Sequence, residues 1–128
     1  MNNKELGGKF EKDFARFLAN QGYWVHFLEG AAHTGAQPFD LIAIKDDNPH
    51  CIDCKTLANK NGKFPISRIE DNQIMAYKRY KKCGNTFFEL AILWNNDIYI
   101  VPFDCIDFNQ KSIPIADNIP EWRNFYEN

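Results

Sequence analysis

Hydrophobic residues recur at spacings of three and four near the start of the chain. From about residue 4 to residue 20 this spacing predicts one amphipathic helix. Its apolar stripe consists of five side chains: Leu6, Phe10, Phe14, Phe17 and Leu18. Gly22 follows, and glycine suits the left-handed backbone conformation that commonly ends a helix. The chain is therefore expected to open with a helix packed on a core.

After this helix the apolar runs are short and are separated by polar turns, which is typical of β-strands. Five strands are predicted, at 23–28, 41–44, 50–55, 87–94 and 98–103. Between the third and the fourth, Ser67 and Glu70 have the spacing of a capping box, which predicts a second helix running to about Cys83. The order helix, three strands, helix, two strands predicts an α/β fold, with a mixed sheet of about five strands flanked by helices.

A length of 128 residues suits one compact domain. We expect a single domain over 1–128, with a core at about 4–104 and a tail at 105–128. The tail either packs on the core or mediates dimerisation, and its aromatic segment 122–126 is predicted to form a short helix. With 45% hydrophobic and 15% aromatic residues, the composition argues against disorder.

The charge and hydropathy of the chain indicate which compartment and which partners to expect. No apolar stretch approaches the ~20 residues of a membrane helix, and the first residues lack a signal-peptide core. A soluble cytoplasmic protein with no membrane partner is expected. The net charge of −2 and the pI near 5.9 are unlike those of most nucleic-acid binders. Basic residues nevertheless cluster in one part of the sequence: Lys60, Lys63, Arg68, Lys78, Arg79, Lys81 and Lys82.

Three charged residues stand at the second and third predicted strands. Asp40 directly precedes an apolar run, whereas Asp53 and Lys55 lie two residues apart, so that their side chains share one face of a strand. Carboxylates bind hard divalent cations, and a nearby lysine can stabilise the charge on an attacked phosphate. The pattern predicts a metal-dependent site for phosphodiester cleavage. Taken singly, Asp40 also fits a turn cap, and Lys55 an ion-pair partner of Asp53.

Two further polar residues fall on predicted inner faces of helices. Glu11 borders the apolar stripe of the first helix, and Gln73 lies among the apolar positions of the second. Glu11 could bind metal, and Gln73 could contact a phosphate or a metal-bound water. The structural alternatives stay open, because a helix N-terminus favours an acidic residue and a buried amide can bond to the backbone.

The cysteines offer a different interpretation. Without a secretory signal, all four are expected to be reduced: Cys51, Cys54, Cys83 and Cys105. The pair Cys51 and Cys54, preceded by His50, leaves a zinc-binding module as an alternative. Two observations weigh against it, since no second pair follows and strand positions three apart face opposite ways.

The acidic pattern resembles a known nuclease signature. Asp40, followed by Asp53-Cys54-Lys55, resembles the motif of the PD-(D/E)XK nuclease superfamily, with Glu11 at the position of its N-terminal helix glutamate. Superfamily members have a restriction-endonuclease-like fold. The resemblance extends over about residues 8–104.

Two segments resemble Holliday-junction resolvases more closely. Residues 35–44 resemble the archaeal type, with Thr34-Gly35 in place of the Ser-Gly that precedes the aspartate there. Residues 64–73 and the later strand pair, up to Pro102, resemble the RecU type of bacteria.

These resemblances imply a divalent-metal-dependent DNA endonuclease that acts on branched DNA in recombination or repair, as a homodimer. Mg²⁺ (or Mn²⁺) would be held by Glu11, Asp40, Asp53 and the main-chain carbonyl of Cys54. Lys55 and Gln73 would complete the catalytic set. Six residues would bind the DNA: Thr34, Lys60, Lys63, Arg68, Lys78 and Arg79. The alternatives are a restriction or repair nuclease of the same fold, and a nuclease-like module that binds DNA or protein without cutting.

Overall fold

The computed structural model describes residues 3–28 and 37–126, and its described part contains two α-helices and seven strands. The helices are α1 (Asn3–Asn20) and α2 (Asp71–Lys82). The strands are β1 (Trp24–Phe27), β2 (Leu41–Lys45), β3 (Asn48–Thr56), β4 (Lys63–Pro65), β5 (Phe87–Trp94), β6 (Asp97–Pro102) and β7 (Ser112–Pro114). Short 3₁₀ turns flank α2 and β7.

Five strands form one mixed sheet in the order β1-β2-β3-β5-β6. Neighbouring strands run antiparallel except β3 and β5, which run parallel. Tight turns join the antiparallel hairpins, and their central residues Asp46–Asp47 and Asn95–Asn96 have positive φ, as type I′ turns require. The core order of helix, three strands, helix and two strands confirms the α/β fold predicted from the sequence. β4 and β7 add a separate two-stranded sheet that was not predicted.

The two helices cover opposite faces of the sheet. Phe10, Phe14 and Leu18 of α1 are buried in one hydrophobic cluster together with Leu41 of β2. On the other face, α2 contributes Ala76 and two tyrosines to a second cluster around Phe88. Because successive strand residues point to opposite faces, β3 supplies side chains to both clusters.

Helix α2 begins later than the sequence predicted. Ser67 lies in the 3₁₀ turn Ile66–Arg68, and Glu70 is the N-cap of the helix. A capping box does form, but between Glu70 and Gln73. The predicted box of Ser67 and Glu70 was wrong because the sequence carries the required spacing twice, one turn apart.

The aromatic end of the chain packs on α1. Trp122 forms an isolated antiparallel bridge with Ile98 of β6, and the predicted helix at 122–126 is absent from the described residues. The ring of Trp122 lies 5.1 Å from that of Phe17, and the ring of Phe125 lies 5.8 Å from that of Phe10, both edge-on. This segment therefore covers the α1-side cluster. Within residues 3–28 and 37–126 neither helix is long and apolar enough to cross a membrane.

Candidate active site

Two carboxylates face each other where β2 meets β3. Leu41 pairs with Ile52, and continuing this antiparallel register by one residue places Asp40 opposite Asp53. Main-chain bonds fix Asp40, since its N–H donates to the carbonyl of Ile52 at 2.9 Å and its Oδ2 accepts the N–H of Cys54 at 2.7 Å. These two hydrogen bonds hold Asp40, the residue just before β2, beside β3.

Asp53 is buried without a full set of partners. Only 4% of its surface is exposed, and its Oδ2 accepts no hydrogen bond from the described residues. The Nζ of Lys55 lies 3.1 Å from this oxygen, close enough for an ion pair but not aligned as a hydrogen bond. A buried carboxylate oxygen in this state is costly, so the site has capacity for a further positive partner.

Burial and the nearby charge of Asp53 raise the pKa of two acidic groups at the site. Burial raises the pKa of Asp40, the negative charge of Asp53 adds to it, and the hydrogen bond from Cys54 opposes it only in part. Burial and the charge of Asp53 likewise raise the pKa of Glu11, whereas Lys55 lowers it. These couplings place Glu11, on α1, with the charges of the β2–β3 site. The structure therefore brings together four of the predicted residues: Glu11, Asp40, Asp53 and Lys55.

The donor set fits a hard divalent cation. Cys54 contributes no thiol, because its side chain is buried in the α1-side cluster and burial raises its pKa. Its carbonyl can contribute, since the N–H and C=O of one strand residue point the same way and this N–H points to Asp40. Mg²⁺ commonly uses one or two carboxylates and keeps several waters. It does not need three His, Cys, Asp or Glu side chains forming a cage, and residues 3–28 and 37–126 contain no such cage.

Arg68 lies close to the site. Its Nη1 donates to the carbonyl of Thr56 at 2.7 Å, and its guanidinium lies 4.8 Å from the ring centre of Phe64. Desolvation lowers the pKa of Arg68, while the charge of Asp53 acts in the opposite direction. Arg68 thus lies near the carboxylates, and its contact with a phosphate stays a prediction.

Gln73 has a structural partner. It is 2% exposed, and its Oε1 accepts the main-chain N–H of Glu70 at 3.0 Å in the capping box of α2. This is the backbone-bonded amide that the sequence left open as an alternative. A catalytic role for Gln73 stays a prediction.

The other predicted DNA-binding residues are dispersed. Lys60 is exposed before β4, and Lys63 is exposed at its first residue. Lys78 and Arg79 are exposed on α2. No contact among the described residues links these four side chains to the carboxylates. Thr34 lies outside the described residues.

The cysteine pair does not form a zinc site. Cys51 belongs to the α2-side cluster and Cys54 to the α1-side cluster, so their thiols lie on opposite faces of the sheet. The Nδ1 of His50 lies 2.5 Å from the Oε1 of Glu89 on β5. The zinc-module alternative was therefore wrong, because β3 is a regular strand through both cysteines.

Sequence reasoning missed two features of the sheet. One is the pair of half-buried His50 and buried Glu89, although a charge inside the apolar run 87–94 is the same signal that drew attention to Asp53. The other is the exposed aromatic pair of Trp24 and His26 on β1, whose rings are nearly parallel. Alternation along β1 could have placed both rings on one face.

Comparison with known proteins supports the fold. No family model and no curated protein matches the sequence. Among solved structures, Hjc, a Holliday junction resolvase from the archaeal hyperthermophile Archaeoglobus fulgidus, superposes with a TM-score of 0.59 at 16% identity, over 88% of this chain and 85% of that one. The bacterial homing endonuclease I-Ssp6803I superposes with a TM-score of 0.55 at 14% identity, over 98% and 84%. The chain therefore has the restriction-endonuclease-like fold of these two nucleases.

Proposed function

We propose that this protein is a divalent-metal-dependent DNA endonuclease that hydrolyses phosphodiester bonds of branched DNA. The observation that carries the proposal is the buried Asp53 oxygen without a hydrogen bond, set opposite Asp40 and coupled to Glu11. Lys55 offsets only part of this negative charge. A protein that used three carboxylates here only for stability would be expected to neutralise them with more internal partners.

The residues have separate roles in this proposal. Asp40, Asp53 and the carbonyl of Cys54 would hold Mg²⁺ or Mn²⁺, and Glu11 would complete the acidic set. The bound cation would supply Lewis-acid activation of the phosphodiester. Lys55, held beside Asp53 at 3.1 Å, keeps an ammonium where it can orient the attacking water and stabilise charge on the phosphate. Arg68 would bind a neighbouring phosphate from its fixed position on Thr56.

Branched DNA is favoured as the substrate by two likenesses. The segments around Asp40 and before α2 resemble Holliday-junction resolvases, and the structure superposes on an archaeal resolvase over most of both chains. The homing endonuclease superposes over even more of this chain, which keeps a restriction or repair-type nuclease of the same fold as the second candidate. A non-catalytic module is the third and is an outcome of the test below.

A homodimer is part of the proposal, because resolving a junction requires two strands to be cut. The aromatic tail is not available as the interface through Trp122 and Phe125, since both rings pack within their own chain. Light scattering of the purified protein would test the oligomeric state, and a monomer on DNA would contradict this part.

Cleavage of labelled four-way junction, flap and linear duplex in Mg²⁺ or Mn²⁺ tests the proposal. Wild type is compared with Lys55→Ala, and EDTA is the metal-free control. Lys81→Ala is the matched variant, because it also removes a lysine paired with an aspartate, Asp104 at 2.9 Å. We expect symmetric nicks on the junction that are lost in Lys55→Ala and retained in Lys81→Ala.

The other outcomes are informative too. Equal cutting of all three substrates would keep the nuclease and remove the preference for branched DNA. Binding without cutting of any substrate would support the non-catalytic module. Cutting that survives Lys55→Ala or EDTA would contradict the assigned site.

A further inference from the structure

An exposed aromatic pair lies on the edge strand β1. Trp24 is 60% exposed, and its ring and that of His26 are inclined by only 13°, with centres 6.3 Å apart. The alternate residues Val25 and Phe27 pack inward on the α1-side cluster. Trp24 and His26 therefore point away from the core that β1 helps to build, and core packing does not account for them.

This pair shares a sheet face with the two aspartates of the site. Trp24 pairs with Ile44 and His26 with Ile42, and cross-strand partners point to the same face. Asp40, two residues before Ile42, is on that face as well. Cross-strand pairs that point to one face form rows two residues apart, and successive rows are roughly 7 Å apart along the strands. His26 thus lies about one row from Asp40 along the strand direction, and Trp24 about two rows.

Helix α2 covers only the other half of this face. The hydroxyl of Tyr80 donates to the carbonyl of Pro49 at 3.1 Å, and Tyr77 packs on Phe88, so the helix lies over β3 and β5. Among the described residues, the cluster beneath α2 extends as far as Ile42 and does not include Trp24. Among the described residues, an apolar and aromatic half-face therefore continues from Asp40 to the sheet edge.

We propose that Trp24 and His26 form a stacking platform for unpaired bases of the DNA strand that is cut. The proposal rests on the proposed function, because it takes Asp40 and Asp53 as the position of the scissile phosphate. Aromatic rings on successive rows, roughly 7 Å apart, can each stack on one of the successive bases of a single strand. A strand leaving the carboxylates would pass its next bases over His26 and then over Trp24.

Stacking selects unpaired bases. In a duplex, the faces of each base are already covered by its neighbours, whereas single strands and opened branch points offer free faces to aromatic rings. A second copy of the chain is a weaker candidate for this surface. β1 has only four residues, so pairing of two such edges would form few hydrogen bonds.

DNA binding without cleavage tests the platform. Anisotropy of a labelled single-stranded oligonucleotide, and of the blunt duplex of the same sequence, is measured in EDTA. Trp24→Ala should weaken single-strand binding roughly ten-fold and leave duplex binding unchanged, while Trp24→Phe should retain most of the affinity. Met75→Ala is the matched control, because Met75 is also a large exposed apolar residue, at 62%, but lies on α2.

Tryptophan fluorescence gives a second readout. Single strands should quench the emission of wild type, and the quenching should disappear in Trp24→Phe. The proposal is overturned if wild type does not bind single strands, if quenching persists in Trp24→Phe, or if Trp24→Ala weakens duplex and single strand equally. It is also overturned if Trp24→Ala changes the oligomeric state, since a second copy would then cover the surface.

This test separates the platform from the nuclease. Metal-dependent cutting combined with unchanged single-strand affinity in Trp24→Ala would remove the platform and keep the nuclease. Quenching that depends on Trp24, in a protein that cuts no DNA, would keep the platform and remove the nuclease.

Discussion

Two acidic side chains are buried on opposite faces of the same sheet, and they differ in how their charge is compensated. Asp53 on β3 is 4% exposed, and Glu89 on the neighbouring β5 is 7% exposed. Glu89 pairs across the strands with Ile52, so it points to the α1 side, whereas Asp53 points to the α2 side. β5 is otherwise apolar, and the two neighbours of Asp53 along β3, Ile52 and Cys54, are buried. Burial alone therefore does not distinguish a structural carboxylate from a functional one.

The partners make the distinction. The Oε1 of Glu89 accepts the ring N–H of His50 at 2.5 Å, and the ring of His50 stacks on Phe87 with centres 4.3 Å apart. Asp53 instead faces Asp40, and one of its oxygens lacks a hydrogen bond from the described residues. The Glu89 carboxylate is paired with His50, whereas Asp53 shares its single close cation, Lys55 at 3.1 Å, with a second carboxylate opposite it. Functional sites commonly carry such local destabilisation.

The largest contrast is expected in catalysis. Asp53→Asn should reduce the cleavage rate at least ~100-fold, because it removes a charged ligand from the site. Glu89→Gln should leave the rate within a few-fold, since Glu89 lies on the other face. Initial rates on the best substrate in Mg²⁺ measure both. Similar losses in the two variants would mean that Glu89 supports the site, and the contrast would fail.

The reverse contrast is expected in stability. Glu89→Ala should lower the free energy of unfolding by about 2–3 kcal/mol, because it leaves the half-buried His50 without its partner. His50 and Glu89 line a cavity of about 160 Å³ on the α1 side of the sheet. Glu121→Ala is the control, because Glu121 lines this cavity too but is exposed, and its loss should have little effect. Urea unfolding of both variants provides the measurement. A loss below about 1 kcal/mol in Glu89→Ala would show that the pair is not structural.

The acidic site should make the metal-free protein sensitive to pH. The pKa of Asp40 is raised from its ordinary 3.8 to about 8, first by burial and then by the charge of Asp53. The folded protein therefore holds a proton that the unfolded chain releases. The stabilisation from this proton is complete below about pH 4 and is lost as the pH rises towards 8. The loss is at most ~1.4 kcal/mol per pH unit.

Urea unfolding in EDTA between pH 5 and pH 8 would show this decline. Asp40→Asn should flatten it, and Mg²⁺ should restore stability at pH 8 by binding only the folded state. A metal-free protein that gains stability over this range would contradict the raised pKa. A Mg²⁺ effect that persists unchanged in Asp40→Asn would place the cation elsewhere.

The sequence was sufficient for the order of helices and strands along the chain, and for placing Asp53 and Lys55 on one face of a strand, because both depend on local alternation. Asp53 and Lys55 share a face by their spacing, and the short turn after β2 brings Asp40 opposite. Long-range pairing could not be read in this way. β4 pairs with β7, far along the chain, and Trp122 pairs with Ile98 rather than forming a helix. Neither pairing is predicted by a local sequence pattern.

Helix α2 shows a different limit, because two capping patterns compete there. Ser67 and Glu70 match one, Glu70 and Gln73 match the next, and tertiary contacts select the second. Pro65 ends the short strand β4, and the side chain of Arg68 donates a hydrogen bond to the carbonyl of Thr56. These two contacts hold residues 66–68 in their 3₁₀ turn, so the helix begins only after it. The same choice buries Gln73 close to the N-terminus of α2.

The smallest effect is expected at Gln73, which could serve either the structure of the fold, like Glu89, or the proposed active site, like Asp53. If it only caps α2, Gln73→Ala and Glu70→Ala should each cost about 0.5–1 kcal/mol in urea unfolding, since each removes half of the same capping box. Both should then retain cleavage within a few-fold. If Gln73 also contacts the substrate, Gln73→Ala alone should lose cleavage about ten-fold or more at the same stability. Glu70→Ala is the matched control, because it disturbs the helix start without touching the amide. Equal effects on both readouts would assign Gln73, like Glu89, to the structure of the fold, and leave Asp40, Asp53, Glu11 and Lys55 as the site.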